Sequence, residues 1–216
     1  MGQIDTLRGL QRLINVTRHK VVVCPREGHA HMAKDVLGIP GNSALGVLID
    51  QTGGLVVADG FIKHLGGDNG ASDSLACVNG LDGSQDPPIP ESLGALVVAV
   101  DAFGGIFALP AQATDPAQAT VRYLPYDGML WEDFRIGHGD FVAWSMGDAA
   151  RGLYPSQSEC DLARGRIIRY DPPLWLRTTN GDKPRPAFAP IANVVRERIG
   201  LSCAIYEATM PEGPMT

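Results

Sequence analysis

Apolar positions at Ile4, Leu7, Leu10, Leu13 and Ile14 recur every three or four residues, which predicts an amphipathic helix capped by Asp5 or Thr6. Lys20–Cys24 is short, β-branched and uninterrupted, the pattern of a buried strand. Pro25 then opens a second helix with Met32, Ala33, Val36 and Leu37 on its apolar face and Gly38 as its stop. From Ala44 the period changes. Ala44–Asp50 and Leu55–Ala58 read as two strands joined by a turn at 51–54, and Asp59-Gly60 reverses the chain into Phe61–Leu65.

Gly66–Ser92 is rich in Gly, Asp and Pro and reads as one long loop, with Leu75–Val78 as its sole short element. Gly94–Val100 and Ile106–Leu109 are strands joined by a turn at Asp101–Gly105. Ala119–Leu124 follows, then a turn at Pro125–Gly128. Met129–Phe134 is a further strand or the approach to a helix. That helix is capped by Asp140, carries Phe141, Val142, Trp144 and Ser145, and ends near Gly152. Arg166–Tyr170 is a strand, Ala189–Ile199 is a helix, and the last sixteen residues show no clear element. Neighbouring strands joined by short turns imply an α+β class. The chain reads as a single domain over 1–200, mostly antiparallel sheet built from hairpins with N- and C-terminal helices packed on it, and a tail over 201–216.

Composition narrows this picture. Leu, Ile, Val and Phe make up about a quarter of the 216 residues, above the level of disordered chains. The 26 glycines and 16 prolines have no three-residue period, so they mark turns. No apolar run reaches a membrane span and no export signal opens the chain, which predicts a cytoplasmic protein that does not enter a membrane. Without export, Cys24, Cys77, Cys160 and Cys203 are expected as reduced thiols.

The net charge of −6 is uneven. Between Asp59 and Asp133 eleven carboxylates meet only Lys63 and Arg122. Such a surface repels phosphate backbones, which argues against nucleic acid, and attracts a basic partner. The bland alternative is that these acids are solvated turn residues.

Candidate chemistry is sparse. Cys24, His29 and His31 cluster, but at no common zinc spacing, and nothing calls for a metal or a cofactor. His64 and His138 lie within a few residues of Asp59, Asp68 and Asp140, a composition suited to general acid–base work if a pocket gathers them. No serine sits in Gly-x-Ser-x-Gly. The pairs Gly53-Gly54, Gly66-Gly67 and Gly104-Gly105 lack the partners of a phosphate loop and read as turns.

Three blocks follow one another in a familiar order: Thr52–Gly66, Val100–Leu109, and Leu130–Phe134 with Asp140–Trp144. They resemble the bacterial domain-of-unknown-function 2625 family, over roughly Leu7 to Ile191. A fainter likeness is to the SUKH superfamily, which pairs a Gly-Gly hairpin, an Asp-x-x-Gly-Gly hairpin and a late Phe-bearing helix. Many of its members are read as immunity proteins that neutralise a toxin. That resemblance implies a non-catalytic, protein-binding module whose partner is a basic protein toxin. Asp59, Asp68, Asp101, Glu132 and Asp133 are its candidate contacts. The alternative is a small-ligand protein or enzyme built on His64 and His138.

Overall fold

The computed structural model describes residues 6–27, 32–68, 73–85, 88–111, 119–155, 160–176 and 183–209. A seven-stranded sheet runs in strict chain order, every neighbouring pair antiparallel. Its strands are β1 (Val22–Cys24), β2 (Gly54–Val57), β3 (Ile62–Leu65), β4 (Ala95–Asp101), β5 (Ile106–Pro110), β6 (Thr120–Leu124) and β7 (Glu132–Gly137). A two-stranded antiparallel ribbon, β8 (Arg166–Asp171) and β9 (Arg185–Pro190), stands apart from it. The class is α+β, as the pattern predicts.

Among the described residues, eight α-helices accompany the sheets: α1 (Thr6–Val16), α2 (Met32–Leu37), α3 (Ala44–Gln51), α4 (Leu75–Val78), α5 (Ile89–Leu93), α6 (His138–Ser145), α7 (Asp148–Arg151) and α8 (Ile191–Thr209). α1, α3 and α6 pack together on one side of the sheet. α4, α8 and the ribbon lie against one another on the other side, tied to the sheet where Ile168 N donates to Ala102 O at 2.8 Å. Strand β3 separates the layers. His64 reaches α6, and its neighbour Lys63, pointing the opposite way, reaches Asp73 ahead of α4.

Several elements differ from the sequence pattern. Ala44–Gln51 is a helix, so no hairpin joins it to β2. Ser43 caps it by accepting from Gly46 N at 3.0 Å, and five consecutive residues from Leu45 to Ile49 are buried. An apolar run buried all round has no amphipathic period, so it mimics a strand. Pro25 to Glu27 are not helical and α2 is described only from Met32, so Pro25 is not its first residue. Gly137 rather than Asp140 stands at the N-cap of α6, and Asp140 lies in its first turn, where a carboxylate suits the helix dipole.

The stretch Gly66–Ser92 is no featureless loop. Its described part holds α4 and α5, anchored by the buried Asn79. That amide donates to Leu75 O and Val97 O, both at 2.9 Å, and accepts from Val97 N at 2.8 Å. Both donors of this asparagine and its carbonyl oxygen are thus engaged, which sews the segment to β4. β9 has no counterpart in the pattern because Pro186 and Pro190 interrupt it, and prolines are tolerated only in edge positions such as this ribbon offers. Helix α8 continues past Gly200 to Thr209.

Candidate functional site

The acids named from the sequence fall into two kinds. Asp101 is completely buried. Its Oδ1 accepts from Phe103 N at 2.9 Å and Gly105 N at 2.8 Å, and its Oδ2 accepts from Tyr123 Oη at 2.8 Å. Burial pushes its carboxyl above the usual carboxylate range despite these donors. It closes the β4–β5 turn from within and presents no surface to a partner. Asp73 is equally hidden and forms a buried ion pair with Lys63. Gly165, at φ +71°, passes so close that a Cβ there would lie 2.6 Å from the Asp73 carboxylate.

Asp59 is exposed at the reversal between β2 and β3, where Ala58 and Asp59 both hold positive φ, +51° and +59°. Its side chain secures that strained turn. It accepts from Lys20 N at 2.7 Å and Arg151 Nε at 2.9 Å, and meets His19 Nδ1 at 3.2 Å. Burial works to raise its pKa, but these bonds outweigh it and hold the carboxyl below the usual range. Asp68 is half-buried just beyond β3, with its main-chain oxygen accepting from Glu27 N at 2.8 Å.

Glu132 and Asp133 are different. Both are exposed, on the first two positions of β7. That strand pairs only with β6, so its other edge has no strand partner among the described residues. Asp133 accepts from Arg135 N at 2.8 Å, which holds its carboxyl below the usual range, and it stands opposite Arg122 in the register. Just ahead of them Leu130 is 78% exposed. Leu130 and Trp131 border a groove of about 810 Å³ whose apolar wall includes Leu93, Leu109 and Met129.

The two histidines do meet. His64 is fully buried and its Nε2 lies 2.8 Å from Ser145 Oγ on α6. His138, from the first turn of α6, stands edge-on to it with ring centroids 6.2 Å apart, and Phe141 closes the cluster at 5.1 Å from His64. His64 Nδ1 and both nitrogens of His138 are buried without a hydrogen-bond partner. Burial lowers the pKa of His64 to about 3, with His138 adding to the effect, and that of His138 to about 4. Both rings are neutral at physiological pH.

Ser145 Oγ also lies 2.7 Å from Val142 O, and a carbonyl can only accept. With the hydroxyl proton committed there, His64 donates from Nε2 to Ser145. That polarity leaves Ser145 no base to activate it. The carboxylates the acid–base reading calls for are elsewhere: Asp59 is engaged with His19 and Arg151, and Asp140 is exposed.

Sequence reasoning misses Ser145 as the partner of His64, the Lys63–Asp73 pair, and Arg198. The buried Arg198 guanidinium donates to the carbonyls of Pro125, Tyr126 and Gly128 at 2.6–2.9 Å and stacks on Trp175 at 4.4 Å. The one available signal is position: Lys63 sits beside His64 in a short strand flanked by Phe61, Ile62 and Leu65. His29 and His31 lie outside the described residues. Among the described residues, no three His, Cys, Asp or Glu side chains are grouped to hold a metal, and no helix is long and apolar enough to cross a membrane.

Two curated relatives are similar. One is an uncharacterized protein of Haemophilus influenzae, 25% identical over 148 residues, covering 67% of this chain and 63% of the relative. The other is the putative uncharacterized protein YbfG of Escherichia coli, 25% identical over 173 residues, covering 77% of this chain and 78% of the relative. The chain therefore spans under two thirds of the Haemophilus protein's length. No solved structure matches. Residues 5–159 match the family described as "Protein of unknown function DUF2625", a span that takes in the whole seven-stranded sheet and both histidines but ends before β8, β9 and α8. The chain belongs to that family.

Proposed function

We propose that this protein is a non-catalytic protein-binding module of the toxin-immunity type, acting in the cytoplasm on a basic protein toxin. The observation that carries the reading is the exposed acid pair Glu132 and Asp133 on β7, whose outer edge has no strand partner among the described residues, beside the exposed Leu130 and the groove it borders. Protein-binding surfaces combine an apolar anchor with a charged rim, and a free sheet edge offers main-chain groups to a partner strand.

Within Asp59–Asp133 the exposed described carboxylates are Asp59, Asp82, Glu91, Asp127, Glu132 and Asp133, against one exposed cation, Arg122. That balance favours a basic partner. The SUKH analogy supplies the immunity role, since the Asp101–Gly105 hairpin and the Phe141-bearing helix are both present. Gly53-Gly54 departs from it, standing where α3 leads into β2 instead of in a hairpin turn, with Gly54 the first residue of β2.

The test is the association rate with the product of the neighbouring gene, measured by stopped flow with the wild type and with Glu132→Lys/Asp133→Lys. Slowing by tenfold or more at low salt supports the proposal, and equal rates for the two proteins defeat it. A second reading, a small-ligand site at His64 and His138, draws on their three unpaired ring nitrogens. Resonances of His64 and His138 that shift on adding a small metabolite would favour it.

A further inference from the structure

On the helical side of the sheet, α1, α3 and α6 leave a groove of about 500 Å³ between them, within the range of small-molecule sites. Its wall is aliphatic: Leu10, Leu13 and Val16 from α1, Val47 and Leu48 from α3, and Val142 from α6. Gly9, Ala44 and Gly139 make its depth. Each presents little or no side chain where the three helices converge, and a Cβ on Gly139 would only touch Ala44 at 3.8 Å.

One charged side chain lines it, Arg12, exposed and with no carboxylate bonded to it among the described residues. At its end Val16 is 74% exposed, an aliphatic side chain turned to water with nothing described to cover it.

We infer that this groove binds an anionic amphiphile, a saturated fatty-acid carboxylate, with the alkyl chain along Leu10, Leu13, Val47 and Val142 and the carboxylate on Arg12. An aliphatic trough with a single guanidinium at its rim matches that chemistry at both ends. A polar metabolite would leave its hydrogen-bonding groups unmatched against the wall. None of the residues lining this groove belongs to the Leu130–Asp133 surface or to the groove beside it, so the site is independent of the protein-binding reading.

Isothermal titration of the purified full chain with octanoate, decanoate and dodecanoate tests it. Each added methylene should tighten the dissociation constant about fourfold until the groove is full. Arg12→Glu should weaken dodecanoate at least fivefold and leave dodecanol unchanged. Gly9→Leu fills the groove while favouring helix α1 and should abolish binding. Val16→Glu, at an exposed position that folding does not depend on, should weaken the carboxylate by repulsion. No heat with any chain length, or affinities indifferent to Gly9→Leu and Val16→Glu, would overturn the inference. So would a concentration-dependent dimer that buries Val16, which would make a second copy of the chain the occupant.

Discussion

Asp73 and Asp101 on one hand, and Glu132 and Asp133 on the other, come from the same acidic stretch but do opposite work. The first two have essentially no exposed surface, and every charge they carry is answered from inside, by Lys63 in one case and by two main-chain amides and a tyrosine in the other. Glu132 and Asp133 project from an open sheet edge. A net charge counted along the chain mixes the two kinds. Only the second kind can attract a partner, because a buried paired carboxylate has already spent its field on its neighbours.

The sharpest way to break this comparison is at Lys63. Removing one member of a buried pair strands the other, so Lys63→Met should cost about 3–5 kcal/mol, read from urea unfolding. Lys63→Met combined with Asp73→Leu should recover much of that loss. A single variant within about 1 kcal/mol of wild type would mean that the pair is not buried in solution.

Acid probes the other face of β3. His64 and His138 have folded pKa values of about 3 and about 4, below the roughly 6.5 of an unfolded imidazole, so the unfolded chain binds more protons between those limits. Their contribution is fully present above pH 6.5. It is lost as pH falls toward 4, at up to about 1.4 kcal/mol per pH unit for each ring. Unfolding midpoints from pH 7.5 to 4.5 should show this decline, and His64→Gln should make it shallower.

Asp101→Ala leaves the amides of Phe103 and Gly105 and the Tyr123 hydroxyl without their acceptor, and should cost about 3 kcal/mol, with Asp101→Asn milder. Calorimetry of both variants orders them. Glu132→Lys and Asp133→Lys belong at the bottom of the stability scale, with unfolding midpoints close to wild type, since both side chains are exposed. An Asp133→Lys variant as damaging as Asp101→Ala would erase the distinction.

How much of this was legible depends on the range of the interaction. α1, β4, β5 and β6 could be read because their periods are local, and the turns at Asp59-Gly60, Asp101–Gly105 and Pro125–Gly128 follow from their residues. Ala44–Asp50 reads as a strand because the buried run Leu45–Ile49 of helix α3 shows no polar face. Gly66–Ser92 read as a loop because its organising contact, Asn79 to Val97, joins a turn-forming residue to a distant strand. The acids of the candidate surface were visible, but their division was not. Asp101 owes its burial to α8, the ribbon and Tyr123 converging on the β4–β5 turn, and Lys63 meets Asp73 across a segment with no regular period. His64 and His138 were named for neighbouring acids that play no part. What joins them is the docking of α6 onto β3 through Ser145.

On the proposed function, the free charge at the start of β7, and not the buried acids, recruits a basic partner. The direct measurement is the ionic-strength dependence of the association rate constant with the neighbouring gene's product, for the wild type and for Glu132→Lys/Asp133→Lys. A steep fall with added salt for the wild type, flattened in the variant at unchanged unfolding midpoint, is the predicted result. Parallel salt dependences for the two proteins would contradict it.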